Sequence, residues 1–349
     1  MTVARRARDL RLDSATGALM CLVVLGHVLA SMDGAASHAA LLWIYLFHMP
    51  AFVFLSGYAT RYVTAWSPVK IVTRLLFPYL VFALIQRLFD AWWNSTPFEF
   101  PFASAPWTLW YLIALMAWRL VAPLFQRMSF AVAVPACVAL SLAGAGVSWL
   151  GQGFSLGRIV GMLPFFVAGL LWRDQWWEWA LSRWARVAAA AALCVGAIVV
   201  LLTHAGVPVS DFYYSLSHGT MGLTAGEGIA HRAMVLAIGA PLALAAVILT
   251  MRVLPVLPSI GVASLTVYLL HTVVLLVWHE EGAPAWFAGW WAVLVAAAAS
   301  FGLAWVLSRR PVVAATAPLM DLRWWQARLG KGKGKGKGKG KGRRNARAA

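Results

Sequence analysis

Apolar stretches of about 20 residues recur along the whole chain, separated by short segments rich in Pro, Gly and charged residues. A helix of about 20 apolar residues is long enough to cross a hydrocarbon core about 30 Å thick. The pattern therefore predicts an all-α, polytopic membrane bundle of about ten transmembrane helices. The predicted spans are 14–32, 41–60, 70–91, 106–124, 130–150, 156–172, 186–203, 232–250, 257–278 and 286–307. Only "QRMS" separates the fourth span from the Gly-rich fifth, so a count that differs by one stays open.

Composition also favours a membrane protein. Of the 349 residues, 62% are hydrophobic and 12% are charged, whereas soluble domains carry about 25% charged residues. Cys21, Cys137 and Cys194 lie in apolar runs without metal-ligand or disulfide spacing, so we expect inert packing. The longest predicted loop, 204–231, is too short to form a soluble domain.

The basic residues, which give a formal net charge of +17, are distributed unevenly. If the N-terminus is cytoplasmic, only Arg87, Arg158 and Arg232 fall on the outer side or at its helix ends. The other 26 of the 29 Lys and Arg residues then face the cytoplasm. Because basic residues concentrate in cytoplasmic loops, this distribution predicts a multi-pass protein with cytoplasmic termini. We expect its location to be a bacterial plasma membrane.

Four regions follow from this topology: a basic cytoplasmic N-terminus at 1–13, the transmembrane domain at 14–307, a juxtamembrane segment at 308–330 and a tail at 331–349. The N-terminus resembles a signal peptide, but the further spans favour an uncleaved first helix. The juxtamembrane segment contains paired tryptophans suited to the membrane interface. The Lys/Gly/Arg-rich tail predicts disorder. We expect the tail either to contact anionic lipids or to stay solvated, and we do not expect a nucleic-acid partner.

Ionisable side chains lie at one depth within four of the predicted spans. His27, in "LVVLGH", is about 21 Å along the first helix from Asp13. His48, in "FHMPAF", and His271, in "VYLLHTVV", fall at a similar level in the outer half of the bundle. Arg158, in "SLGRIVGMLPFF", opens the sixth span from the outside. Buried ionisable groups in a membrane are costly, so the group predicts a functional site.

The chemistry that suits these residues is proton abstraction. A neutral imidazole is a general base near pH 7. It could deprotonate a sugar hydroxyl that attacks a thioester, while an arginine orients the substrate or stabilises the oxyanion. His271 alone is also explained by a hydrogen bond to a neighbouring helix. The chain has no metal-ligand spacing such as HExxH, so no metal is expected, and it has no GxSxG motif.

Several of these segments resemble the integral-membrane acyltransferase 3 family, in particular its fucose 4-O-acetylase-like branch. The similar segments are "LRLDSATGALMCLVVLGH", "IYLFHMPAFVFLSGYATRY", "RLLFPYLVF", "PWTLWYLIALMAWRL", "LGRIVGMLPFFVAGLL" and "SLTVYLLHTVVL". The resemblance implies a ten-helix bundle. It also implies transfer of an acyl group, usually acetyl, from cytoplasmic acyl-CoA to a hydroxyl of a carbohydrate or lipid-linked glycan.

The resemblance also implies roles for individual residues. His27 corresponds to the catalytic base, and His48 is carried over as a second catalytic-site residue. Arg74, with Lys70, corresponds to residues that contact the acyl donor. Independently of the family, Arg61, Lys70 and Arg74 lie at the predicted cytoplasmic face, where they could bind CoA phosphates. They are equally explained as determinants of topology.

One position departs from the family pattern. The family usually has Lys or Arg eleven residues before the first-helix histidine, where this chain has Thr16. If that basic residue normally helps to hold the donor, three alternatives stay open. The donor site is altered, Arg11 replaces the missing charge, or the chain has lost activity.

Aromatic residues open the fourth span at the outer face. Trp107, Trp110 and Tyr111 could stack on a sugar ring, or they could belong to the interfacial aromatic belt. Together with Arg158 and His271, Trp110 and Tyr111 form the predicted acceptor-binding set.

The sequence therefore predicts a membrane O-acyltransferase with acyl-CoA as co-substrate, and the resemblance favours acetyl-CoA. Two other functions stay open: a multi-span transporter or flippase, and a family member without catalytic activity. Nothing in the sequence predicts the oligomeric state.

Overall fold

The computed structural model describes residues 9–61, 67–99, 108–151, 153–215, 217–326 and 328. Fifteen α-helices and three short 3₁₀ turns account for the regular structure, and these ranges contain no strand, which confirms the all-α prediction. The helices are α1 Leu10–Leu29, α2 Ala35–Thr60, α3 Pro68–Trp93, α4 Trp110–Phe125, α5 Phe130–Ala145, α6 Leu156–Gly161, α7 Leu163–Leu170, α8 Trp176–Ala180, α9 Arg183–Thr203, α10 Ala225–Thr250, α11 Leu257–Val262, α12 Ser264–Val274, α13 Leu276–Glu281, α14 Trp290–Leu307 and α15 Arg310–Met320.

Six of the described helices, α1, α2, α3, α9, α10 and α14, are long and apolar enough to cross a membrane. A seventh crossing is possible if Gly153–Gly161 and Leu163–Leu170, bent by 54° at their junction, form one broken span. Shorter apolar helices, α4, α5 and α12, lie at three more of the predicted spans. The polytopic helical architecture is thus confirmed, while the count of ten and the cytoplasmic termini stay predictions.

Two predicted spans are broken helices instead of continuous ones. The span at 156–172 is α6 followed by α7, and Pro164 lies in the first turn of α7. Proline has no N–H to continue the preceding helix, which explains why α6 stops before it. The span at 257–278 is divided into α11, α12 and α13, with breaks at Ala263 and Leu275.

Side-chain caps explain where several helices begin. The Asp9 carboxylate accepts from the backbone N–H groups of Arg11 and Leu12 at the start of α1. Ser67 caps α3 in the same way. At α10, Thr224 and Glu227 form a reciprocal capping box. Each cap satisfies N–H groups that have no partner within the helix.

Close backbone contacts between helices bring the site-bearing elements together. A Cβ at Gly17 of α1 would lie 2.2 Å from the carbonyl oxygen of Leu257 in α11. Likewise, a Cβ at Gly57 of α2 would lie 2.0 Å from the carbonyl oxygen of Phe166 in α7. Small residues permit such close approach in membrane bundles. Consequently α1 and α2 are held in the centre, and together they carry both predicted catalytic histidines.

The predicted juxtamembrane segment is largely helical where it is described. Beyond α15, Trp324 and Trp325 are in edge contact, with ring centroids 4.9 Å apart. Arg323 donates to both carboxylate oxygens of Asp321, from Nε to Oδ1 and from Nη2 to Oδ2. This lowers the pKa of Asp321, and the charge of Arg74 adds to the effect. The predicted tail at 331–349 and most of the basic N-terminus lie outside the described residues.

Candidate functional site

A cavity of about 300 Å³ lies between the C-terminal end of α1 and the middle of α2. We call it the histidine cavity. Its walls are formed by His27, Ala30, Tyr45, His48, Met49, Trp110, Arg158, Met162, Phe212, Tyr213 and His279. It therefore brings together His27, His48, Arg158 and Trp110, all of which were singled out from the sequence.

His27 is half-buried near the C-terminal end of α1. Its ring stacks on that of His271, with centroids 5.4 Å apart and planes inclined by 28°. His271 is fully buried on α12 and lies behind His27, not on the cavity wall. Its Nδ1 is 2.9 Å from the carbonyl oxygen of Val267, while its Nε2 has no hydrogen-bond partner among the described residues. His271 is thus placed to support His27, and its predicted contact with substrate stays a prediction.

His48 is 3% exposed and projects from the middle of α2. Its Nδ1 is 2.8 Å from the carbonyl oxygen of Ile44. A carbonyl oxygen only accepts, so the neutral ring carries its hydrogen on Nδ1 and keeps Nε2 as an acceptor. Tyr45, one turn earlier, packs against this ring with centroids 4.7 Å apart. The sequence analysis missed Tyr45, although residues three apart share a helix face.

Arg158 projects from α6 between two aromatic rings. Its Cζ lies 4.8 Å from the ring centroid of Trp110 and 5.9 Å from that of Tyr213. Both contacts are within the range of cation–π attraction. Tyr213 follows the 3₁₀ turn Val209–Phe212, in the loop between α9 and α10. Its position depends on how that loop folds back, so the helical periodicity of the chain contains no signal for it.

Tyr111 does not reach the histidine cavity, although it follows Trp110 directly. Successive helical residues point about 100° apart. Tyr111 instead shares a hydrogen bond with Ser56 and lines a second cavity. The predicted pair of Trp110 and Tyr111 is therefore divided between two cavities, and Trp107 lies outside the described residues.

The second cavity, which we call the Arg119 cavity, has a volume of about 280 Å³. It is lined by Leu12, Asp13, Thr16, Met20, Phe52, Leu55, Ser56, Ala59, Leu75, Tyr111, Leu112, Leu115, Arg119, Gly261, Ser264, Leu265 and Tyr268. Thr16 precedes His27 by eleven residues, or about 16 Å along α1. The two cavities thus open at different heights in the bundle.

Arg119 is the basic residue on this second wall. Its Nε donates to the hydroxyl of Thr60 over 3.4 Å, and no carboxylate among the described residues forms an ion pair with it. A half-buried cation that forms no ion pair favours a carbonyl-rich or anionic ligand, while the Asp13 carboxylate on the same lining opposes a large negative charge. The sequence analysis counted Arg119 only as a determinant of topology, because sequence gives the height of a residue and not its angle around the bundle.

A series of side-chain rings in contact lies between the two cavities. Tyr111 and Tyr268 have ring centroids 5.6 Å apart, and Tyr268 and His271 are 6.1 Å apart. The stacking of His271 on His27 completes the series. Tyr268 is fixed by its hydroxyl, which donates to the carbonyl oxygen of Thr108. Aromatic side chains therefore separate the Arg119 cavity from the base candidate.

The three predicted donor-binding residues differ in their surroundings. Arg61 forms an ion pair with Asp174 over 3.0 Å and also donates to the carbonyl oxygen of Trp172. Lys70 and Arg74 are exposed on the first turns of α3, and the next residue, Leu75, lines the Arg119 cavity. Donor binding by these three residues stays a prediction. Within the described ranges, no cluster of three or more His, Cys, Asp or Glu side chains could hold a metal ion.

Comparison with known proteins identifies the family. The acyltransferase 3 family model, described as an acyltransferase domain, matches residues 9–309. No curated protein and no solved structure matches the chain. The family match does not distinguish the fucose 4-O-acetylase-like branch, which stays a prediction. Because the match covers most of the sequence and the fold is a helical membrane bundle, the chain belongs to the acyltransferase 3 family of membrane acyltransferases.

Proposed function

We propose that the protein is a membrane O-acyltransferase that moves an acyl group, with acetyl as the first candidate, from acyl-CoA to a hydroxyl of a carbohydrate or lipid-linked glycan. The observation that carries this proposal is the histidine cavity, where His27, His48 and Arg158 from three helices share one wall with aromatic rings. The charge distribution supports cytoplasmic termini, and we assign the protein to a bacterial plasma membrane as part of this proposal. Acyl-CoA is then the co-substrate from the cytoplasm, and no metal enters the mechanism.

In the proposed reaction, His27 takes the proton of the acceptor hydroxyl as the oxygen attacks the thioester carbon. The new C–O bond replaces the C–S bond, and the proton finally reaches the sulfur of CoA. His48, whose Nε2 is an acceptor, orients the hydroxyl or shares its proton. Arg158 stabilises the negative charge on the carbonyl oxygen or holds the acceptor.

The aromatic side chains around Arg158 suit a sugar acceptor. Trp110, Tyr45 and Tyr213 line the histidine cavity, and the two tyrosines carry hydroxyl groups. Apolar ring faces pack against the C–H face of a sugar, while polar groups bind its hydroxyls. These residues therefore support a carbohydrate or a lipid-linked glycan as the acceptor.

The Arg119 cavity suits the donor. Its lining is mostly apolar, with hydroxyl groups from Thr16, Ser56 and Ser264, the Arg119 cation and the Asp13 carboxylate. We infer that Arg119 supplies the positive charge that the family usually places at the position of Thr16. This inference favours an altered donor site over loss of activity. The phosphates of CoA would remain near Lys70 and Arg74, at the beginning of α3.

The test is transfer of label from acetyl-labelled acetyl-CoA into the lipid and glycan fractions of membranes. Wild type is compared with His27→Ala and with the matched control His204→Ala, because His204 lines neither cavity. We expect label with wild type and the control, and a loss of about 10²–10⁴-fold with His27→Ala.

Persistent transfer by a folded His27→Ala variant would exclude the base role. If wild type transfers no label to any glycan supplied, substrate flux into vesicles without acyl-CoA would favour the transporter. Absence of both activities would favour an inactive family member.

A further inference from the structure

The loop segment 209–215, which we call the strap, crosses α6 and supplies part of the histidine cavity. Phe212 and Tyr213 line the cavity. Tyr213 contacts both the ring of Tyr45, at 5.3 Å between centroids, and the guanidinium of Arg158. The fold of the strap therefore positions two aromatic residues of the histidine cavity, Phe212 and Tyr213.

The next residue of the strap, Tyr214, has a left-handed backbone with φ of +58°. Bulky residues rarely adopt this conformation, and it persists only where surrounding contacts hold it. It turns the Tyr214 side chain into the protein, where the ring is 2% exposed and packs edge-on against Phe165. Its hydroxyl donates to the carbonyl oxygen of Val235.

Arg232, on α10, makes the charged contacts that hold this backbone. It is 6% exposed, and its Nη2 donates to the carbonyl oxygen of Tyr214 over 3.2 Å. Its Cζ lies 5.3 Å from the Tyr214 ring centroid. One guanidinium therefore contacts both the backbone and the ring of the strained residue.

Two glycines of α6 allow the strap and Arg232 to pack closely against this helix. A Cβ at Gly157 would lie 2.7 Å from the carbonyl oxygen of Ser215. A Cβ at Gly161 would lie 2.2 Å from Nη1 of Arg232. The strap and the guanidinium thus lie directly on the backbone of the helix that carries Arg158.

We propose that Arg232 is a positioning residue for the acceptor side of the histidine cavity. It clamps the strap to α6 and thereby fixes Tyr213 relative to Arg158. The functional part of this proposal rests on the acyltransferase function proposed above, whereas the clamp itself does not. Arg232 lines neither cavity and touches no reacting group.

The clamp is tested by thiol accessibility. Ser215 is 1% exposed, so the nearly isosteric Ser215→Cys reports whether the strap stays closed. The background replaces Cys21, Cys137 and Cys194 by Ala, and a membrane-impermeant methanethiosulfonate reagent is added to the outer side of spheroplasts. We expect Arg232→Met to label at least about 10-fold faster, because local opening controls access to a buried group.

Three further variants make the labelling result specific. Arg232→Lys keeps a donor but loses the planar stack, so its rate should be intermediate. Gly161→Ala keeps Arg232 but displaces its guanidinium, so it should also accelerate labelling. Arg87→Met is the matched control, since Arg87 pairs with Asp90 on α3 and should leave the rate unchanged. An unchanged rate in folded Arg232→Met and Gly161→Ala would overturn the clamp.

The positioning role is tested with labelled acetyl-CoA at a fixed amount of the membrane acceptor fraction. We expect Arg232→Met to lower kcat about 10-fold while KM for acetyl-CoA stays unchanged, and Arg232→Lys to restore part of the loss. Faster labelling with unchanged transfer would overturn the positioning role. If wild type transfers nothing, the proposed function fails, while the labelling result still decides the clamp.

Discussion

The histidine cavity and the Arg119 cavity have nearly equal volumes but different chemistry. The first is lined by histidines, an arginine and aromatic rings. The second is mainly aliphatic and contains one arginine, one carboxylate from Asp13 and several hydroxyl groups. Two substrates with different surfaces would need such different walls: a polyhydroxyl acceptor on one side and an extended acyl thioester on the other.

The partition between the two cavities consists of aromatic and imidazole rings. Tyr111, Tyr268 and His271 form a continuous series of ring contacts that ends at His27. The proposed base and the proposed donor-side cation therefore lie on opposite sides of these rings. An acyl thioester held near Arg119 would have to extend past them to reach His27.

The largest expected effect that separates the cavities comes from Arg158→Met. Loss of the cation between Trp110 and Tyr213 should lower kcat about 100-fold, as expected when a charge-stabilising donor is removed. KM for acetyl-CoA should stay within about twofold of wild type, because Arg158 lies outside the Arg119 cavity. Initial rates over a range of acetyl-CoA concentrations measure both parameters. A rise in KM with unchanged kcat would assign Arg158 to the donor instead.

The reverse pattern is expected for Arg119→Met. Removal of the cation from the donor side should raise KM for acetyl-CoA about 10-fold, since a hydrogen bond to a charged group contributes about 1.5–3 kcal/mol. The effect on kcat should be smaller than for Arg158→Met. Arg127→Met is a suitable control, because Arg127 follows the end of α4 and lines neither cavity. If Arg119→Met binds acetyl-CoA as wild type does, the donor assignment of this cavity is wrong.

A smaller but more specific effect is expected when the charge is moved within the Arg119 cavity. Thr16 and Arg119 line the same cavity from different helices. Adding Thr16→Arg to Arg119→Met should recover about 3-fold of the lost affinity for acetyl-CoA. The double variant is compared with each single variant in the same kinetic assay. Additive losses, with no recovery, would show that the two positions do not serve one ligand.

More residues of the histidine cavity than of the Arg119 cavity could be predicted from the sequence, for a physical reason. His27 and His48 stand out because imidazoles are rare within apolar spans. Arg119 does not, because a basic residue near a predicted cytoplasmic helix end has an ordinary explanation in topology. Only the rotation of α4 in the bundle shows that its side chain enters a cavity.

The helical class was predictable from the length of the apolar runs, but the breaks within them were only partly so. Pro164 lies at the break between α6 and α7, although 156–172 was predicted as one continuous span. No proline marks the breaks at Ala263 and Leu275, and apolar residues continue through both. Tyr213 was also inaccessible to sequence reasoning, since its loop is held by contacts with α6 and α10. Hydrophobic pattern thus predicts elements, whereas tertiary contacts place loops and broken helices.

The smallest expected effect concerns the hydrogen bond between Tyr111 and Ser56 on the wall of the Arg119 cavity. Tyr111→Phe keeps the ring contact with Tyr268 and removes only the hydroxyl. It should destabilise the protein by about 1 kcal/mol, the typical contribution of a buried hydrogen bond, and should change kcat by less than about threefold. Thermal unfolding in detergent and the transfer assay measure the two quantities. A loss of kcat comparable with that of Arg158→Met would place the Tyr111 hydroxyl in the reaction itself, and the division of labour between the cavities would then be incorrect.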